Sequence, residues 1–240
     1  MLVLRNIIAQ TLGLITLILI SIACYVASYL LSTKNMNWML YKSFSILRII
    51  VAKIIGIRIT YKGLENIPDG AVIFASKHQS AFEASFFFNE FKRNTIYCFK
   101  AEIAKVPLWG RIARCNGGIS IDRGNASSFR KFIVDVKTNL EEGKSVAIFP
   151  EGTRVVPNSH PKFKKGISKI YANTTAPIVP VALNTGDCFP KGSKLARPAH
   201  VIIEFLPPIY RDMQEEEFTE FLHQQINKSS DNLHLLSFKK

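Results

Sequence analysis

The first 64 residues contain no aspartate and no glutamate. All formal charge there is basic (Arg5, Lys34, Lys42, Arg48, Lys53, Arg58 and Lys62), which is more than half of the net +13. These residues flank long apolar runs, the composition of a segment on or in an anionic membrane. They form no polar basic stripe, which argues against a nucleic-acid partner. Cysteine is scarce: Cys24, Cys98, Cys115 and Cys188 show no paired spacing, and no His/Cys cluster resembles a zinc site. Reduced thiols in a cytosolic compartment follow. No Gly-x-Ser-x-Gly elbow is present, which excludes a serine hydrolase of that type. Gly143-Lys144-Ser145 resembles the end of a phosphate-binding P-loop, but Thr138 stands where its earlier glycine belongs. Internal repeats and low-complexity linkers are also missing.

What is present is a chain of 240 residues, 48% of them hydrophobic. That is too apolar for disorder and long enough to bury a substantial core in one domain. Thr11 to Leu31 is a charge-free stretch between Arg5 and Lys34. As a helix it is roughly 31 Å long, enough to cross the hydrocarbon core. It is long for the apolar region of a signal peptide and has no clear small-x-small cleavage site. Trp38 to Ile57 is apolar too, with Phe44, Leu47, Val51, Ile54 and Ile55 as one helical stripe and Lys42, Arg48 and Lys53 on much of the opposite arc. Such a helix lies in the membrane interface, packs on the domain core, or does both. If the first run spans, the basic load after it places the rest of the chain in the cytoplasm; a hairpin dipping into one leaflet is the alternative. Residues 1–56 are thus expected to anchor a domain formed by 57–240.

From Ile57 onward the pattern changes to short apolar strands alternating with helical stretches. Strands are expected at Ile57–Tyr61, Ala71–Ser76, Thr95–Phe99, Gly118–Ile121, Ser145–Phe149, Ile178–Leu183 and His200–Phe205. Helices are expected at Phe82–Phe91, Pro107–Arg114, Ser127–Glu142, Ile167–Asn173 and Met213–Lys228, the last opened by an Asp212/Glu215 capping box. The alternation predicts an α/β fold, a layered mixed sheet flanked by helices and preceded by membrane-associated helices.

Two blocks carry the chemistry. In Lys77-His78-Gln79-Ser80-Ala81-Phe82-Glu83, a histidine lies near a carboxylate. A positioned histidine accepting a hydroxyl proton contributes typically about 10²- to 10⁴-fold, and a carboxylate on its other nitrogen fixes the tautomer. Ser80 to Glu83 is also a capping box, so Glu83 closes a helix turn in the purely structural reading. Both hold together if Ser80 caps the helix and His78 lies in the loop before it. In Phe149-Pro150-Glu151-Gly152-Thr153-Arg154, Pro150 ends a buried strand, Gly152 permits a close approach of backbone to ligand, and Arg154 can pair bidentately with a phosphate. An ordinary turn with a solvated arginine is the bland alternative.

Four ordered blocks give the chain its resemblance to the glycerolipid acyltransferases. They are His78 with Glu83; Lys100-Ala101-Glu102 through Pro107 and Gly110 to Gly118–Arg123; Phe149 to Arg154; and Ile178-Val179-Pro180-Val181-Ala182. The resemblance implies that His78 deprotonates an acceptor hydroxyl, with Glu83 orienting it. Lys100, Arg123 and Arg154 would meet the acceptor phosphate, and Glu151, Gly152 and Thr153 would line the acceptor's glycerol and phosphate end. It implies lysophosphatidic acid (1-acyl-sn-glycerol 3-phosphate) as acceptor, acyl-coenzyme A or acyl carrier protein as donor, phosphatidic acid as product, membrane lipids as surroundings, and neither metal nor other cofactor. Glycerol 3-phosphate or another lysolipid as acceptor, and a non-catalytic anionic-lipid-binding protein, are the alternatives. Glu83 departs from the pattern, which most often has aspartate there. Phe86, Phe87, Phe88 and Phe91 are candidates for an acyl pocket or for plain core.

Overall fold

The computed structural model describes residues 1–80, 83, 95–115, 117–122 and 126–237. The strands are β1 (Ile57–Lys62), β2 (Ile73–Ser76), β3 (Thr95–Lys100), β4 (Ile119–Ile121), β5 (Ser145–Ile148), β6 (Ile178–Leu183) and β7 (Ala199–Phe205). They form one seven-stranded sheet in the order β1-β7-β6-β2-β5-β3-β4. From β6 to β4 every pairing is parallel; β7 runs antiparallel to β6 and carries β1 parallel to itself. The helices are α1 (Leu2–Ala27), α2 (Thr33–Ile55), α3 (Ala101–Ala104), α4 (Pro107–Cys115), α5 (Ala126–Glu141), α6 (Gly166–Asn173) and α7 (Glu215–Ser237). The expected mixed sheet with flanking helices is therefore present.

Buried on both faces, the central parallel strands need apolar residues at successive positions, as β2 and β6 have. Alternate residues feed two cores. Phe74, Ala147, Val179, Val181, Ile203 and Phe205 pack with Ala9, Ala52 and Ile55 from the N-terminal helices. On the other face Ile73, Ala75, Val146, Ile148 and Ile178 meet Phe132 and Val136 of α5, Ile170 of α6, and Phe218, Leu222 and Ile226 of α7.

The two N-terminal helices form an antiparallel hairpin. Gly13 faces Val51 and Leu47, while Cys24 clusters with Met36 and Leu40. Ser32 caps α2 by accepting from the Asn35 amide, and Gly56 ends it in the left-handed region at φ 89°. Among the described residues, α1 is the one helix long and apolar enough to cross a membrane. Its outward residues, Leu4, Ile7, Leu12, Leu14, Ile15, Ile18, Leu19 and Ile22, are exposed. The C-terminal half of α2 packs on the sheet core instead, so its stripe serves the domain. One expectation for α2 changes. Arg48 lies inside, only 7% exposed, where it donates to Tyr61 Oη at 3.0 Å, so it does not share the solvent arc with Lys42 and Lys53.

Other differences lie at ends. The last helix begins at Glu215 and not at Met213, because the Asp212 and Met213 amides donate to Tyr171 Oη at 3.0 and 2.9 Å. Glu215 closes no box with Asp212 and pairs with Lys169 at 2.9 Å. The helix continues to Ser237, held by hydrogen bonds from His234 and Ser237 to Asp187. The helix expected at Phe82–Phe91, with Phe86, Phe87, Phe88 and Phe91, falls outside the described residues apart from Glu83.

Candidate active site

In a parallel sheet, ligands meet the loops at the carboxyl ends of the strands, at the point where the strand order reverses. Here that point lies between β2 and β5: the chain moves from β2 outward to β3 and β4, then returns through β5 to β6 on the other side of β2. The histidine block follows β2 and the glycine–arginine block follows β5. Topology alone therefore makes these two turns neighbours.

Leaving β2, the chain carries His78 into the loop ahead of Glu83. His78 Nδ1 lies 2.5 Å from Glu83 Oε2. A carboxylate only accepts, so Nδ1 carries the hydrogen; in the neutral ring Nε2 then holds the lone pair, the form a general base requires. The other oxygen, Oε1, accepts from the Gln79 amide at 2.8 Å, the Ser80 amide at 2.6 Å and the Thr185 hydroxyl. The Ser80 contact is the capping-box bond expected from sequence, and the same carboxylate also holds the imidazole. One carboxylate therefore makes both contacts. Glu83 is wholly buried, while the His78 side chain keeps 21% of its surface. The arrangement is a fixed, enclosed carboxylate behind a partly open base.

The second turn is locally determined. Phe149-Pro150-Glu151-Gly152 closes with the Gly152 amide donating to Phe149 O at 2.9 Å, with proline second and glycine fourth. Gly152 adopts φ 72°, a conformation that disfavours any side chain. Three contacts join this turn to the first. The His78 ring stacks on Phe149 with centroids 4.1 Å apart, the Val155 amide donates to His78 O at 2.7 Å, and Lys77 faces Glu151 at 3.4 Å.

The other expected site residues are distributed as follows. Thr153 and Arg154 are exposed on the second turn, and Lys100 is exposed at the end of β3, on the same rim. Arg123 lies outside the described residues. Glu151 is buried, with its carboxylate toward Lys77 and not toward solvent. Burial pushes the Glu151 carboxyl above the usual carboxylate range and pushes the Lys77 ammonium below the usual lysine range, each only partly offset by the other's charge. Among the described residues no three His, Cys, Asp or Glu side chains gather as a metal site.

Sequence reasoning missed Thr185, 102 residues from the carboxylate it supports. It lies in the helical turn Thr185–Asp187 just after β6. Its only sequence-level signal is its place at the carboxyl end of a buried strand. Gln79 was also missed: its side chain accepts from the Gly186 amide at 3.0 Å and ties the same turn to the histidine loop.

Known proteins resemble this chain in sequence and in fold. Residues 58–184 match the model of the family described as Acyltransferase, a span holding both turns and Lys100. A 1-acyl-sn-glycerol-3-phosphate acyltransferase of Pseudomonas aeruginosa is 32% identical over 158 residues, 65% of this chain and 61% of its own length. One from Limnanthes douglasii is 33% identical over 165 residues, covering 68% of this chain and 58% of its own. The chain thus spans about three fifths of these relatives. The crystal structure of the 1-acyl-sn-glycerophosphate acyltransferase of Thermotoga maritima superposes with a TM-score of 0.78 over 97% of this chain and 98% of that one, at 22% identity, a likeness of fold.

Proposed function

The chain belongs to the Acyltransferase family, and from that premise we propose that it moves a fatty acyl group from a thioester to the free hydroxyl of 1-acyl-sn-glycerol 3-phosphate, yielding phosphatidic acid. The donor is acyl-coenzyme A or an acyl carrier protein. The observation that carries the reading is the contact of the two turns: a base held by a buried carboxylate stacks directly on the first residue of the glycine–arginine turn.

In this mechanism the acceptor phosphate pairs with Arg154 and Lys100, two exposed cations that follow β5 and β3 on the rim where β2 delivers His78. Gly152 and Thr153 lie under the glycerol end. Nε2 of His78 takes the hydroxyl proton as the oxygen attacks the thioester carbonyl. The new C–O ester bond forms, the C–S bond breaks, and the departing thiolate takes the proton back from the imidazolium. Glu83 stabilises that imidazolium without leaving its own hydrogen bonds. Every electron pair is accounted for between donor, acceptor and one histidine.

Membrane lipids surround the site in this reading. The apolar outer face of α1 and the acid-free basic load of residues 1–64 support anchoring, with the catalytic domain on the cytoplasmic side. Both the lysolipid and the acyl chain partition to that interface.

The test is thioester consumption by detergent-solubilised protein with lysophosphatidic acid, in wild type and in His78→Ala. Transfer that collapses in a folded variant supports the reading. If the wild type shows no turnover with either donor, and none with glycerol 3-phosphate as a second acceptor, the reading fails and a lipid-binding protein replaces it.

A further inference from the structure

Lys77, the residue before the histidine, has no role in the mechanism above, yet it is the most enclosed cation near the site, 1% exposed. Its ammonium donates to Asn227 Oδ1 of α7 at 2.5 Å and to Ser159 O at 2.8 Å, and it faces Glu151 at 3.4 Å. One group thus touches three parts of the chain: the second turn, the loop after it, and a C-terminal helix that lies beyond the family-matched residues. Asn227 is itself fixed, donating to His223 O at 2.8 Å within α7.

Fold stability does not explain such a pair. Removing two charges from water costs several kcal/mol per ion, and a packed apolar pair of similar volume holds a fold as well or better. What charges supply here is registry. The ammonium sits between two hydrogen-bond acceptors and the Glu151 carboxylate, and that position fixes Lys77, and so His78, against Glu151, and so Arg154. An apolar contact is non-directional and fixes neither.

We propose that Lys77, with Glu151 and Asn227, is a positioning residue that sets the separation between the base and the phosphate-binding turn. The inference rests on the acyl-transfer reading. It assigns Glu151 to holding the turn from behind, and it brings α7 into the active site through Asn227. Loss of the ammonium lets the two turns move apart. A shift of about an ångström between base and acceptor lowers turnover on the order of 10²-fold.

The experiment compares full-length, detergent-solubilised wild type, Lys77→Met and Lys77→Met/Glu151→Gln. Thermal midpoint is measured with kcat and KM for lysophosphatidic acid and, separately, for the thioester. The double variant removes the orphaned carboxylate charge and so protects folding. The expected result is a folded double variant whose kcat/KM for the lysolipid stays about 10²-fold below wild type, with KM for the thioester nearly unchanged. A folded double variant within about threefold of wild type overturns the inference. So does failure of both variants to fold, which would make the pair purely structural. A wild type without turnover on any acceptor is a different failure, that of the acyl-transfer reading itself, and the positioning role falls with it.

Discussion

Replacing Glu83 by glutamine changes one atom and should silence the base. Oε1 receives three donors, from the Gln79 and Ser80 amides and the Thr185 hydroxyl. A glutamine must keep its oxygen there, because an NH₂ group cannot accept from them. Its NH₂ then faces His78 Nδ1 at the position now 2.5 Å away. Nδ1 is forced to accept, the ring hydrogen moves to Nε2, and the nitrogen that should take the hydroxyl proton is already protonated. In serine proteases the same carboxylate-to-amide exchange, with the same tautomer error, lowers kcat about 10⁴-fold, and about 10³- to 10⁴-fold is expected here. That is about 4 to 5.5 kcal/mol on the barrier. The cost to folding is smaller, about 1–3 kcal/mol for weakening hydrogen bonds to a charged acceptor. It leaves the protein folded if its stability is in the usual range of about 5–15 kcal/mol. The assay is initial-rate thioester consumption at saturating lysophosphatidic acid, with circular dichroism to confirm folding. A folded Glu83→Gln protein within about tenfold of wild-type kcat would refute the tautomer argument.

Three further outcomes are expected. Thr185→Val removes one of three donors to Oε1 while keeping shape; kcat should fall about 3- to 10-fold, the loss of about one hydrogen bond, with KM for the lysolipid unchanged, as read by steady-state kinetics. Cys188 is buried and its thiol is pushed up to about 12, by desolvation first and then by the Asp187 and Glu83 carboxylates. Iodoacetamide at pH 8 should therefore leave Cys188 unmodified in the folded protein and alkylate it after denaturation, as peptide mass spectrometry would show. Phe218 is fully buried and stacks on Tyr171 with centroids 3.8 Å apart, so Phe218→Ala should lower unfolding free energy by about 3–5 kcal/mol, read from the urea midpoint.

How much of this was legible beforehand depends on how local each determinant is. β6 was readable end to end, since a strand buried on both faces is a continuous apolar run bounded by turn residues. The turn at Pro150 and Gly152 was readable for the same reason: proline and glycine act within four residues. The α7 start was not, because its Asp212/Glu215 pattern obeys the capping rule and is overridden by Tyr171, 41 residues upstream. Arg48 looked solvated from helical periodicity alone, and the hydroxyl that draws it inward belongs to β1. Within the site, His78 and Glu83 were found as a pair because they stand five positions apart in the sequence. Thr185 and Asn227 reach the same turn from distant parts of the chain, and only the strand order makes them neighbours.

The direction of the central strands also fixes where the protein can be handled without harm. Chemistry gathers at the rim where β2, β5, β6 and β3 end, and the opposite rim, where they begin, is left with plain connections. Gly70 and Gly143 turn there before β2 and β5, in open surroundings. With β5 about 13 Å long, a fluorophore or affinity tag grafted beside Gly143 sits a strand's length from His78. From that end the protein can be immobilised or imaged with the rim that carries His78 left free.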